Sequence, residues 1–376
     1  MHYLNQPLSR YARARTIGAA AGLIALLGCQ EDREPATSPS VPAAENTSLL
    51  ATASNTWSTR APFSPRSDCC LRDEYSVGMA PNSAGESIVY VLGGEADQFG
   101  NGDIRTGWPT LRYNVAANSW SFPDGPIVHT ADLNGAEKIG NRLYLTGGVN
   151  SGEDESNFPH IWNRTYAYNV STQTLSRKAD MPLAGQGGVS GVIHGQLYVL
   201  LGLCSAQADD PGHCDTGGIA RPTRAFQRYD PGSNSWISRR AAPHYHYHGA
   251  AAVFNDKLYV VGGMNGTTKL ADLDVYDPAT NQWQTKAPIP TPGERLFGAA
   301  MLSRFYVISW SSGAGNVKFY SYDPSTNKWT ARATPPAGVG PIVRVFLNGQ
   351  PRIFMPLQGI IPEEGGVTGH SYLYTP

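Results

Sequence analysis

The sequence predicts an all-β ring of six repeated units, each of four short strands. Three observations lead there. The 376 residues include 41 glycines and 28 prolines with no collagen period, so turns punctuate the whole chain. Aromatic residues make up 10%, and the 19 tyrosines recur at fixed spacing. Apolar runs such as Lys257 to Val261 are short and alternate with polar residues, the period of a half-buried strand. This composition excludes a disordered chain, a coiled coil and a multi-span membrane protein. With 29 basic and 30 acidic residues the formal charge is −1, which gives no electrostatic footprint for nucleic acid.

From the N-terminus, Arg10, Arg13 and Arg15 precede an apolar run, Ile17 to Leu27, that is too short to span a bilayer. The run ends Leu26-Leu27-Gly28-Cys29, which resembles a bacterial lipobox: small Gly28 admits the peptidase and the Cys29 thiol takes the lipid. Residues 1–28 are therefore expected to be a lipoprotein signal peptide and the mature chain to be exported, with Cys29 as its lipidation site. Their removal takes three arginines and leaves a charge of −4. Gln30 stands where an Asp would signal inner-membrane retention, which points to an outer-membrane or cell-surface lipoprotein; an unused lipobox leaves it periplasmic. Residues 29–54 are rich in Pro, Ser, Thr and Ala and read as a flexible tether.

From 55 to 376 the chain repeats. A first aromatic recurs at Tyr90, Tyr144, Tyr198, Tyr259, Tyr306 and Phe354, and a second at Tyr113, Tyr168, Tyr229, Tyr276, Tyr322 and Tyr374. Trp follows the second aromatic by seven residues at Trp120, Trp236, Trp283 and Trp329, with Leu175 in that place in the second unit. From that Trp or Leu to the next first aromatic is 23 to 25 residues in every case. Asn255-Asp256 and Gly140-Asn141 predict tight hairpins between first and second strands. Pro278–Asn281 and Pro324–Asn327 predict the turn before the fourth. Gly pairs at 93–94, 147–148 and 262–263 permit close backbone approach where units converge.

Taken together, the Gly pair, the two spaced aromatics and the Trp resemble the kelch repeat, about 50 residues per unit and one propeller blade each. The resemblance covers 55–376 and implies a six-bladed kelch β-propeller. The sixth unit has strands at Ile342–Leu347, Arg352–Met355 and Ser371–Tyr374 but no Trp strand. The segment Asn55-Thr56-Trp57-Ser58 has that pattern, so the N-terminal strand around Trp57 is expected to close the ring and remove its edges.

In such blades the second-to-third loop and the inter-blade connection open on one face. The gaps between marker aromatics reach 31 residues there, and the Trp57–Tyr90 connection is 33 residues long. The turns of the opposite face are short. Loops 94–111, 148–165, 202–225 and 356–371 carry eleven acids (Glu95, Asp97, Asp103, Glu153, Asp154, Glu155, Asp209, Asp210, Asp215, Glu363, Glu364) against Arg105, Arg164, Arg221 and Arg224. Functional variation is therefore expected on this negative long-loop face.

Candidate ligand-binding residues cluster there. Pro243 to His248 places His244, His246 and His248 on one side of an extended chain, about 7 Å apart; with His129 they are candidate zinc or copper ligands, or direct hydrogen-bonding groups at an aromatic mouth. Arg295 precedes Tyr306 by eleven residues, as His248 precedes Tyr259. In kelch domains that recognise acidic peptides an Arg commonly stands at this place near the axis, though here in one unit of six and beside Glu294. Asp97 to Asp103 offers oxygens for calcium without the full calcium-loop pattern. Trp108 and Trp162 lie in long loops, positioned to stack on a sugar, anchor a protein or pack the loops. Cys204 and Cys214 frame one loop and are disulfide candidates, leaving Cys69 and Cys70 as a vicinal pair or reduced; cross-pairing between the loops is the alternative.

These features predict a lipid-anchored, monomeric binding propeller that recognises a protein or glycan through its long-loop face. The alternative is a kelch-type carbohydrate enzyme. A sugar mutarotase or epimerase needs an acid and a base, for which Glu294 with His246 or His248 supply the types; a copper-radical oxidase of the galactose-oxidase kind needs a Cys–Tyr cross-link and two histidines.

Overall fold

Side chains that alternate between the two sides of a strand fold every repeat into one antiparallel sheet, because successive residues reach the two neighbouring sheets in turn and the second and third strands are buried on both sides. The computed structural model describes residues 55–63, 74–97, 104–106, 108–122, 125–150, 160–204, 220–312, 317–336, 338–356 and 369–376. Residues 1–54, where the signal peptide and tether are expected, Cys69, Cys70, Cys214 and nine of the eleven loop acids lie outside them. The described residues form six four-stranded sheets. Blade one comprises Ser76–Pro81, Ser87–Leu92, Leu111–Asn114 and Ser119–Ser121; blade two Ala136–Ile139, Arg142–Thr146, Thr165–Asn169 and Thr174–Arg177. Blade three comprises Val189–Ile193, Gln196–Leu200, Phe226–Asp230 and Ser235–Arg239; blade four Ala250–Phe254, Lys257–Asn265, Thr268–Asp277 and Gln282–Lys286. Blade five comprises Arg295–Met301, Arg304–Trp310, Val317–Asp323 and Lys328–Arg332.

Blade six takes Val343–Leu347, Gln350–Met355 and Ser371–Thr375 from the C-terminal end of the chain and Thr56–Arg60 from the other. Trp57 pairs with Tyr374 in the register the repeat requires. Among the described residues no helix is long and apolar enough to cross a membrane.

The repeated aromatics stitch the ring. At all six seams the second-strand aromatic of one blade meets the third-strand Tyr of the next: Tyr90 with Tyr168, Tyr144 with Tyr229, Tyr198 with Tyr276, Tyr259 with Tyr322, Tyr306 with Tyr374, and Phe354 with Tyr113, at centroid distances of 4.5–6.2 Å. Five fourth-strand tryptophans donate their indole N–H back to the preceding blade: Trp57 to the Ala333 carbonyl, Trp120 to Ala61, Trp236 to Ala179, Trp283 to Arg240 and Trp329 to Ala287. An asparagine two residues before each Trp completes the stitch. Asn55, Asn118, Asn234, Asn281 and Asn327 each accept the hydroxyl of their own blade's third-strand Tyr. The same oxygens accept a backbone N–H of the preceding blade. Blade two has Gln173 and Leu175 in these places, and its Tyr168 hydroxyl is buried without a partner.

The short-turn face carries two-residue hairpins such as Asn255-Asp256 and Leu302-Ser303, both residues of each at positive φ as the strand twist demands. The opposite face carries every long connection. Small sheets extend the first three blades there: Glu95–Asp97 with Ile104–Thr106, Trp108–Pro109 with Ile127–Val128, Val149–Asn150 with His160–Ile161, and Gly185–Gln186 with Leu203–Cys204 and Arg221–Pro222.

Candidate functional site

The six first strands surround the axis and enclose a channel of about 410 Å³. On the long-loop face its mouth is made by the residues that lead into those strands. Glu74, Asp132, Gly187 and His248 lead into blades one to four, and all four adopt the left-handed conformation, with φ of 51°, 49°, 59° and 56°. For the three residues that carry a Cβ this costs on the order of 1–2 kcal/mol each. A hydrogen-bond chain holds them there. Asp132 N–H donates to the Glu74 carbonyl, Gly187 to Asp132, His248 to Gly187 and Leu296 to His248, at 2.8–2.9 Å.

Two side-chain bridges cross the mouth. The guanidinium of Arg295 in blade five contacts the Glu74 carboxylate of blade one. His248 Nε2 of blade four lies 3.1 and 3.2 Å from the two Asp132 carboxylate oxygens of blade two. Each bridge passes over a blade that offers no long side chain at the equivalent place, Pro341 in blade six and Gly187 in blade three. The Tyr247 ring stacks on His248 with centroids 3.8 Å apart, and a Cβ on Gly187 would lie 2.3 Å from it, so only glycine admits that tyrosine.

The charges at the mouth answer one another. Burial pushes the Asp132 carboxyl up, but His248 and Arg295 together hold it below the usual value. Burial opposes the charge on Arg295, yet Glu74, Asp132 and Tyr247 raise its pKa, so it stays protonated. Tyr247 is raised well above an ordinary phenol by burial and by the Asp132 and Glu74 charges. Deeper in the channel, burial raises the Glu137 carboxyl against the one bond it accepts from Ser190, at 3.1 Å.

Of the residues singled out from sequence, His248 and Arg295 meet at this mouth. The histidine run does not share one side as an extended chain would. Tyr247 bridges to Met264, Gly249 N–H turns back to the His246 carbonyl, and His248 is left-handed, so the connector is kinked. His246 is fully buried, its ring nitrogens facing the Gly262 carbonyl at 2.8 Å and Asp274 at 3.1 Å. His244 reaches Asp274 at 3.0 Å and Asp272 at 3.6 Å. The imagined three-histidine metal set is thus split between two carboxylate sites, and no group of three metal-ligating side chains occurs among the described residues.

Glu294 is not the partner of Arg295 and does not face His246 or His248. It is held by Lys269 and by Ser312 Oγ, at 2.9 and 2.8 Å, because consecutive residues entering a strand point to opposite sides. His129 is exposed on the connector into blade two, outside the channel lining. Trp162 is buried, 7% exposed, with the Arg164 guanidinium 3.6 Å above its ring, so it packs the loop instead of offering an open stacking face. Trp108 pairs through its backbone with Val128; its side chain, like 98–103 of the calcium candidate, lies outside the described residues. Cys204 is disulfide-bonded, and its partner cysteine is likewise outside them.

Sequence reasoning missed Glu74, Asp132, Tyr247 and Gly187. Asp132 precedes Tyr144 by twelve residues instead of eleven, and Glu74 precedes Tyr90 by sixteen, three of the five extra residues coming from the 82–86 turn, which is longer than the two-residue hairpins. Counted back from the hairpin, Asp132 and Glu74 stand eight residues before the turn and His248 and Arg295 seven, so a one-residue offset remains. Asp274, the shared partner of His244 and His246, has no local signal.

Residues 246–290, the unit that carries His246 to Ile289, match the Kelch motif family. The chain is 28% identical over 224 residues to Kelch-like protein 23 of Mus musculus, covering 58% of this chain and 33% of that protein. It is 26% identical over 194 residues to Kelch-like protein 25 of Xenopus tropicalis, covering 48% of this chain and 30% of that one. It thus spans about a third of the length of these relatives. The solved structure of YjhT superposes with a TM-score of 0.60 at 15% identity, over 80% of this chain and 94% of that one, a likeness of fold. With six four-stranded blades and a matching repeat at the mouth, the chain is a kelch-repeat β-propeller.

Proposed function

We propose that this propeller is a binding module that engages a protein partner through its long-loop face, with the axial mouth as the anchoring point. The observation that carries the reading is the convergence of Glu74, Asp132, His248 and Arg295 from four blades on one channel mouth, three of them in left-handed backbone that the fold must hold in place. The kelch relationship supports a protein ligand. The covered face of Trp162 argues against a sugar platform at that point of the rim. We propose also that the mature chain is exported and lipid-anchored at Cys29, with 29–54 as the tether that lets the face search for its partner.

Selection of a displayed random-peptide library on the purified domain tests the reading. Selected peptides are expected to change in affinity by at least about tenfold, about 1.4 kcal/mol, when His248→Gln or Arg295→Gln is introduced. Thr280→Glu and Thr326→Glu, on the short-turn face, are expected to leave affinity unchanged. Selected binding that survives both mouth substitutions and is lost on the short-turn face would overturn it.

A further inference from the structure

The position of Arg295 invites an acidic ligand, but its surroundings favour the opposite charge. The guanidinium is already in contact with Glu74 inside the mouth, the two side chains being 18% and 12% exposed. A ligand carboxylate would have to displace a buried, covalently tethered competitor, and leave Glu74 unpaired. Nor do main-chain amides form an anion nest. The N–H groups of Asp132, Gly187, His248 and Leu296 are all consumed by the chain of bonds around the rim. The remaining capacity is that of acceptors. Among the described residues Asp132, 9% exposed at its side chain, takes its side-chain hydrogen bonds from His248 Nε2, and both its oxygens keep further lone pairs. In sequence, the second-to-third connections 94–111, 148–165, 202–225 and 356–371 carry the same sign, with eleven Asp or Glu against four Arg.

We infer that the axial mouth receives a cationic side chain, a lysine ammonium or arginine guanidinium, of the partner protein, with Asp132 as its counter-charge and the Arg295–Glu74 bridge as the element that rejects acidic ligands. The inference rests on the mouth being the binding site, and adds the chemical class of what enters it. Glu74 acts as a specificity residue in this scheme: it neutralises the Arg295 cation and so sets the preference.

The test uses two peptides, acetyl-Gly-Ser-Lys-Ser-Gly-amide and its Glu counterpart, titrated into the exported domain while the ring signals of His248 are followed by NMR. The Lys peptide is expected to shift those signals and to bind at least about tenfold more tightly than the Glu peptide, with the difference shrinking in roughly 0.5 M salt. Asp132→Asn, of equal size and checked for an unchanged fold by its spectrum, is expected to lose the Lys peptide by about tenfold or more. Glu74→Gln frees Arg295 and is expected to tighten the Glu peptide, a gain that loss of structure does not produce. Tighter binding of the Glu peptide to the wild type, or Lys binding untouched by Asp132→Asn, overturns the inference while leaving the mouth as a binding site. If neither peptide moves the His248 signals up to roughly 10 mM, the inference fails, and a negative peptide selection alongside it would take the functional reading too.

Discussion

Asp274 shows how much a single buried carboxylate organises. It is fully buried, and His244, His246 and Thr285 all converge on it. Burial pushes its carboxyl up, but the bond to His246 and its charge, with Thr285 and His244, hold it below the ordinary value of 3.8. A depressed folded-state pKa contributes stability that is present above the unfolded value and lost as pH falls through the lower folded one. Urea denaturation is therefore expected to show a loss of stability below about pH 4, beyond that of surface acids, and Asp274→Asn to remove that component. The same substitution should cost about 3 kcal/mol at neutral pH, since it strips a buried pair of its charge. A stability–pH profile unchanged by Asp274→Asn would contradict this account. Gln173 offers the reverse case. It sits at φ 56° where five blades have an asparagine, and Tyr168 lacks the acceptor those blades provide. Gln173→Asn is expected to raise stability by about 1 kcal/mol, from the added bond and the easier left-handed backbone; a lower melting temperature would show that the blade-two seam is relaxed in some other way. Half of the mouth was legible at this scale. His248 and Arg295 sit at a fixed count before their aromatics, whereas Asp132 and Glu74 are shifted by an irregular connector and a longer turn, and Asp274 joins the histidines only through strand pairing.

The blade is the unit of stability. Tyr and Trp were legible because their seven-residue spacing spans one turn and two paired strands, and the structure gives every one of them a seam to fill. The asparagine stitch was hidden in plain view, since Asn in a turn has a local explanation and its contact with the preceding blade has none in sequence. Trp283 fixes blade four to blade three through the Arg240 carbonyl and packs on Tyr276 and Phe226, so Trp283→Ala should cost about 3 kcal/mol. Closure is tested by truncation. Removing 1–60 deletes the strand that pairs Thr56–Arg60 with Ser371–Thr375, together with the Trp57 and Asn55 stitches to Ala333, and is expected to cost several kcal/mol, a large share of the stability of a domain. Removing 1–50 behind a fresh signal should cost nothing measurable. Equal melting temperatures for the two would mean that the ring is held shut by something other than this strand.

Across the whole molecule, the asymmetry of the two faces is the feature on which the proposed function rests. Short turns make up one face of the ring, while the other carries the longer connections and the charged mouth. That division follows from antiparallel order alone, which is why the face could be identified from loop lengths before any side chain was placed. The proposed tether puts this ring at the end of a flexible arm, and Cys29→Ala is expected to abolish palmitate labelling and release the protein from the membrane fraction; equal labelling of the variant would remove the anchor from the account. The central claim, that the partner meets the long-loop face at the axis, is tested most directly by site-specific photo-crosslinking in the native host. A benzophenone side chain is placed at Ser312, exposed beside Glu294 on the long-loop face, or at Thr326, exposed on the short-turn face. The account predicts a discrete crosslinked partner from position 312, diminished by Asp132→Asn, and none from position 326; a partner captured from 326 and not from 312 would contradict it.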